Sequence, residues 1–279
     1  MKSLPKYPSE ILGVKGSIIN CTWKQSAPFN QECYTSGGQR ALAGCVPVAV
    51  GQIMYYWGKN YTYDNYYYDW SELHNVHNAS SCPTDTVAWS GVQHLLATLG
   101  EPDNLDANYG TTQTSASQYN TPRTFENFGF YSGGSIETYS AAGVLSSVSD
   151  GPILVVGYSH RTVLEDEQGN VLWLYNYANG HAWVLDKTIE VSEFDHLHGI
   201  PALRVYCHCN WGWGGYHNGY FLTGVFNSNN PLPEPTGGIL TLSAGQDRTK
   251  SQVVEEGTDY FYQYSLQMNR GIRGYLILN

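Results

Sequence analysis

The sequence predicts an α+β protein of two lobes, helical first and β-rich second, with a cleft where the lobes meet. Two observations carry this reading. Before residue 150 apolar residues recur at helical spacing, whereas beyond Gly151-Pro152 they gather in short β-branched and aromatic runs separated by turn residues. Elements segregated in this way bury their faces in separate cores, and the two cores meet at a cleft. Length agrees: 279 residues suit about two units at roughly 150 residues each, or one two-lobed domain. The chain is read as a single domain over 1–279, with 1–150 mainly helical and 151–279 mainly β.

In chain order, residues 1–40 carry several Pro, Gly, Asn and Ser breakers and read as an irregular arm. From Cys45 to Trp57, Val46, Ala49, Val50, Ile53, Met54 and Trp57 fall at helical spacing. Pro47 sits in the first turn, where its missing N–H costs nothing, so a buried helix starts at Cys45. Residues 55–70 hold nine aromatics in sixteen positions and read as a Tyr-rich packing segment rather than a sugar-stacking surface. A second helix is predicted over 85–99, where Ala88, Val92, Leu95, Leu96 and Leu99 form one stripe stopped by Gly100. Helical segments follow near 116–128, interrupted by Pro122, and near 139–149. Short strands are predicted at 153–158, 163–164, 171–175, 182–185, 203–209 and 220–222, then at 239–242, 252–254, 260–266 and 274–278. There is no internal repeat.

Composition excludes several function classes. Charged residues are 14% of the chain, against about 25% in an average globular protein. The net charge is −10, and no run of Lys or Arg forms a stripe that could neutralise phosphates, so nucleic acid is not an expected partner. The longest aliphatic runs, such as Ile153 to Val156, fall far short of the about 20 residues a membrane span needs. Ile11, Leu12, Val14, Ile18 and Ile19 are broken up by Lys15 and glycines, which is not a signal-peptide pattern; an exported protein would have lost its leader. Six cysteines are too few for a disulfide scaffold and show no paired CxxC spacing. In Cys207-His208-Cys209, strand alternation sends the two thiols to one face and the imidazole to the other, so neither a metal nor a cofactor is expected.

Chemistry centres on Cys45, preceded by Gly44 at the start of the hydrophobic helix. A helix N-terminus presents unpaired N–H groups and a partial positive charge, which favours thiolate over thiol. A thiolate nucleophile needs a partner that takes up its proton and later protonates the leaving group, normally a His. Of nine histidines, His181 in Asn179-Gly180-His181-Ala182-Trp183 is the best placed, because turn residues there open a strand and expose the side chain at its start. The imidazole needs a third group to hold its tautomer, and Asn210, followed by Trp211-Gly212-Trp213-Gly214-Gly215, is the candidate. The two tryptophans could shield that bond from water. Upstream, Gln25 could donate a side-chain N–H to an oxyanion, complementing the backbone N–H of Cys45.

These residues resemble the streptopain family (C10) of bacterial secreted cysteine peptidases, relatives of papain. Four ordered blocks carry the resemblance: Trp23-x-Gln25 with Pro28-Phe29-Asn30; Gly44-Cys45-Val46 with Gln52 to Tyr56; Gly180 to Asp186; and Asn210 to Gly215 with Gly219-Tyr220-Phe221. The separation of Cys45 from His181, 136 residues, lies within the roughly 130–150 of papain-like enzymes. The resemblance implies a papain-like two-lobed fold with the site in the cleft. It implies Cys45 as nucleophile, His181 as ion-pair partner and general acid/base, Gln25 in the oxyanion hole, Asn210 orienting the imidazole and Trp211 lying against the catalytic pair. Gly180 and a residue near Ser115 would contact substrate. Val46-Pro47-Val48-Ala49 stands where the family has smaller residues, and 161–178 and 187–203 would lengthen the loops flanking His181.

The function so implied is that of a cysteine endopeptidase acting on proteins or peptides through a thioester. Its location would be secreted, periplasmic or cell-surface, and the family's inhibitory propeptide would be absent from this chain. The alternatives are acyl transfer or isopeptide cleavage by the same dyad, and a non-catalytic protein- or glycan-binding module on the same fold.

Overall fold

The structure, a computed structural model, describes residues 10–81, 83, 86–195, 200–235 and 261–275. The predicted strands at 239–242 and 252–254, most of the one at 274–278, and Cys82, His196 and His198 lie outside these residues.

The described residues begin with a strand, β1 (Glu10–Gly16), so the first forty residues are not wholly irregular. What the breaker count missed is the partner: β1 runs antiparallel to a distant strand of the C-terminal half. Helix α1 (Cys45–Trp57) forms where its periodicity placed it. The aromatic segment folds into a hairpin of β2 (Tyr61–Tyr63) and β3 (Tyr66–Tyr68), followed by the short α2 (Trp70–Leu73). Its rings are used in packing, as expected: Tyr63 stacks on Phe128 at 4.7 Å between centroids. Helix α3 (Val87–Leu99) is capped by the Thr86 side chain, which accepts from the Trp89 N–H. A 3-10 turn at Gln118–Asn120 leads into α4 (Thr121–Asn127), and Pro122 sits in its first turn rather than interrupting it. After β4 (Ser132–Thr138), α5 (Ala141–Ser147) is the last α-helix among the described residues. None of these helices is long and apolar enough to cross a membrane.

The second half is a sheet. Its strands are β5 (Ile153–Glu165), β6 (Val171–Asp195), β7 (Ile200–Asn210), β8 (Gly219–Leu222) and β11 (Tyr264–Arg273), with β9 (Phe226–Asn227) and β10 (Phe261–Tyr262) pairing apart from it. The order is β4-β11-β5-β6-β7-β8, antiparallel throughout, with β1 also paired to β6. Four of the predicted short strands are halves of longer ones. Runs 153–158 and 163–164 are one strand, and 171–175 and 182–185 are another, because the residues between them, Asn176 and Gly180 of the second strand included, continue the β5–β6 ladder instead of turning the chain. The described insertions flanking His181 are largely strand: within 161–178, residues 161–165 and 171–178 extend the β5–β6 ladder, and within 187–203, residues 187–195 and 200–203 extend the β6–β7 ladder.

At its centre the sheet is buried on both faces, so Ile153–Val156 and Ala182–Leu185 are continuously apolar rather than alternating. Leu154, Val156, Ala182 and Val184 face the helical core of Val50, Ile53, Val92 and Leu96. Ile153, Val155, Trp183 and Leu185 point the other way, into a second core with Cys207, Cys209, Trp211 and Phe221. The Cys207-His208-Cys209 zigzag obeys the same rule. Its thiols enter that core, while His208 Nδ1 meets Asp186 Oδ1 at 2.7 Å on the opposite face.

Candidate active site

Cys45 is the first residue of α1, and the backbone before it explains the glycine. Gly44 has φ 94°, which L side chains rarely adopt, and a Cβ there would stand 3.0 Å from Thr114 Cγ2. Only glycine brings the chain into the helix at this angle while a neighbouring loop closes over it. The backbone N–H groups of Ala182, Val46 and Cys45 itself face the half-buried Cys45 sulfur and favour its thiolate form. The contact with Ala182 sets the sulfur against the residue that follows His181.

His181 lies inside β6, opposite Gly157 of β5, rather than at a strand start. Asn179, with φ 53°, and Gly180 are part of the strand, and Gly180 pairs with Tyr158. A Cβ on Gly180 would come 2.8 Å from the Tyr158 ring, so glycine keeps this stretch of the cleft wall low. The His181 Nε2 is 2.8 Å from the Trp211 carbonyl oxygen. A carbonyl can only accept, so Nε2 carries the proton and Nδ1 is left with a lone pair. Aromatic rings surround the imidazole: Trp213 at 4.7 Å between centroids, Tyr262 at 5.6 Å and Trp211 at 6.0 Å.

Such burial disfavours charge on either partner. The imidazole is pushed down to about 4 by desolvation, which the hydrogen bond to Trp211 only partly offsets. The thiol is pushed up by desolvation, and the three N–H groups facing the sulfur lower it without reversing the shift. Burial thus opposes the thiolate-favouring effect of the helix N-terminus.

Asn210, the last residue of β7, does not reach the imidazole. Its Oδ1 accepts from Gln52 Nε2 at 3.0 Å and from the Gly212 N–H at 3.3 Å, and its Nδ2 donates to the Cys21 carbonyl at 2.7 Å. The amide thus ties α1, the N-terminal arm and the tryptophan loop together, and the residue beside it presents the carbonyl that the ring uses. Gln52 is the partner that sequence reasoning left without a role. Its signal was there: a Gln among apolar neighbours of a buried helix must find a hydrogen bond.

Gln25 lies on the arm, where its carbonyl accepts from the Ala43 N–H at 2.8 Å, and it shares a cleft of about 510 Å³ with Cys45, Gly180 and His181. Further wall comes from segment 112–114, from Trp213 and from Tyr262. Ser115 is one residue beyond that wall, in a β-bridge with Asn108. Tyr262 had no signal in the sequence, since only β10 pairing with β9 brings it to the site.

The sequence profile of the peptidase C10 family matches residues 23–221, which contain Gln25, Cys45, Gln52, Gly180, His181, Asn210 and Trp211. The chain belongs to that family. It is 27% identical over 220 residues to the thiol protease/hemagglutinin PrtT of Porphyromonas gingivalis, covering 74% of this chain and 23% of that one. To streptopain of Streptococcus pyogenes serotype M1 it is 25% identical over 229 residues, covering 72% of this chain and 50% of the relative. The chain thus spans half or less of either relative. Among solved structures it is similar to the interpain A cysteine protease of Prevotella intermedia, with a TM-score of 0.57, 18% identity and coverage of 95% and 96%. A prointerpain A fragment gives a TM-score of 0.54 at 16% identity, covering 97% of this chain and 74% of the fragment. The fold of this C10 chain is the papain-like α+β arrangement.

Proposed function

We propose that this C10 chain is a cysteine endopeptidase in which Cys45 and His181 form the reacting pair. One observation carries the proposal: Cys45, at the head of α1, shares one cleft with His181, whose protonated Nε2 leaves Nδ1 as acceptor. In the first step the sulfur bonds to a peptide carbonyl carbon while its proton passes to His181 Nδ1. Burial disfavours an isolated charge on either group, so the proton stays within the pair as the S–C bond forms. The carbonyl oxygen becomes an oxyanion, for which Gln25 and the Cys45 N–H are the donors. The C–N bond then breaks, the imidazolium gives its proton to the departing amine, and a thioester remains on Cys45. Water attacks the thioester with His181 taking its proton; the S–C bond breaks, the thiolate is reprotonated and the acid leaves.

Asn210 and Trp211 are positioning residues in this scheme, since the Trp211 carbonyl fixes the tautomer and Asn210 fixes the loop that presents it. Gly180 and segment 112–114, adjoining Ser115, are the substrate contacts in this reading, supported by their place in the cleft wall. Secretion is part of the same proposal, supported by the low charge content and the family. The test is mass-spectrometric mapping of new peptide ends in a denatured protein mixture under reducing conditions. Cleavage by the wild type that vanishes in Cys45→Ala is expected; identical cleavage by both proteins would refute the assignment.

A further inference from the structure

The cleft wall beside the tryptophan loop carries a cation that the reaction itself does not use. Lys24 precedes Gln25, forms a β-bridge with Trp213 and lines the same cleft as Cys45 and His181. Its Cδ lies 3.5 Å from where a Cβ on Gly214 would stand, so its aliphatic stem runs along the glycine turn. Among the described residues lining the cleft, Lys24 is the one permanent charge and there is no carboxylate. Nor does any carboxylate among the described residues form an ion pair with it. In a chain of net charge −10, a lysine left unneutralised in a cleft is available to a ligand.

Its side of the cleft follows from the chemistry. The departing nitrogen must face His181 to receive a proton, and Trp213 lies over that imidazole. Residues that follow the scissile bond therefore pass Trp213 and meet its bridge partner, Lys24. We propose that Lys24 selects peptides carrying Asp or Glu at the first or second position after the cut. This rests on the peptidase reading and names a substrate class for it.

The test uses matched peptides with Glu, Gln or Lys at those two positions, and compares kcat/KM for the wild type, Lys24→Gln and Lys24→Glu. A wild-type preference for Glu over Gln of about fivefold is expected at low salt. It should disappear in Lys24→Gln, invert towards Lys in Lys24→Glu, and shrink in about 1 M salt, where charges are screened within roughly 3 Å. Equal rates on Glu and Gln peptides, or a preference that survives both substitutions, would overturn the assignment of Lys24 and leave the peptidase reading standing. No cleavage of any peptide by the wild type would overturn both.

Discussion

His181 shows how a buried side chain ties chemistry to stability. Its folded-state value of about 4 lies below the ordinary 6.5 because charging it inside the aromatic cage is unfavourable. The unfolded chain therefore binds a proton first as pH falls. The sign is that stability is fully present above about 6.5, and is lost progressively down to about 4, by about 3 kcal/mol in all. Denaturant midpoints of the wild type should fall between pH 7.5 and 4.5 more steeply than those of His181→Gln; parallel slopes would contradict the cage. Asn210 belongs to the same scale. Asn210→Ala leaves Gln52 Nε2 and the Cys21 carbonyl without their partner, at a cost of about 2–3 kcal/mol. If Asn210 acts through the Trp211 carbonyl, kcat falls while KM holds, whereas a purely structural role would move only the denaturant midpoint. Residue types were legible here: Cys45, His181, Gln25 and Gly180 were named from the sequence, and the structure brings them to one cleft. Which atom holds the imidazole was not legible, because a backbone carbonyl leaves no trace in residue identity.

At the scale of elements, α1 and β6 position the pair, and the entry to α1 is its tightest point. Gly44→Ala must place a Cβ at φ 94° and 3.0 Å from Thr114, which costs about 1–3 kcal/mol. The expected outcome is a lower denaturant midpoint together with slower reaction of Cys45, read by alkylation rate. An unchanged midpoint would mean that the loop yields. Helices were the readable elements: Cys45–Trp57 and Val87–Leu99 match their apolar stripes. Strand lengths were not, because Asn and Gly between apolar runs usually signal a turn. In β6 they stay in the ladder, with Asn179 in the left-handed region beside the Tyr158–Gly180 pair. The local composition is the same in either case, and the pairing partner decides.

For the whole molecule, the segregation of helices and strands gave the two-lobed class, and the sheet realises it by burying one face in each core. What the sequence hid are the contacts between residues far apart in the chain. Strand β1 reaches β6, where the Ile19 N–H meets buried Asp186 at 2.8 Å, and Tyr262 reaches the imidazole from the last part of the chain. No local pattern encodes such pairings, since each is fixed only when the sheet closes. The cleft that results lies in an anionic protein, yet the charge fixed in its wall is Lys24. Long-range repulsion and local attraction therefore act on acidic substrates with opposite signs, and rising salt should weaken both.

The central claim is that Cys45 becomes covalently acylated with the help of His181. The most direct measurement is intact-mass analysis of the protein mixed with an activated peptide ester and quenched in acid. The expected result is a mass increase equal to the acyl group, located on Cys45, absent in Cys45→Ala and formed about 100-fold more slowly or worse in His181→Ala. An adduct on another residue, or acylation of Cys45 at the same rate without His181, would contradict it.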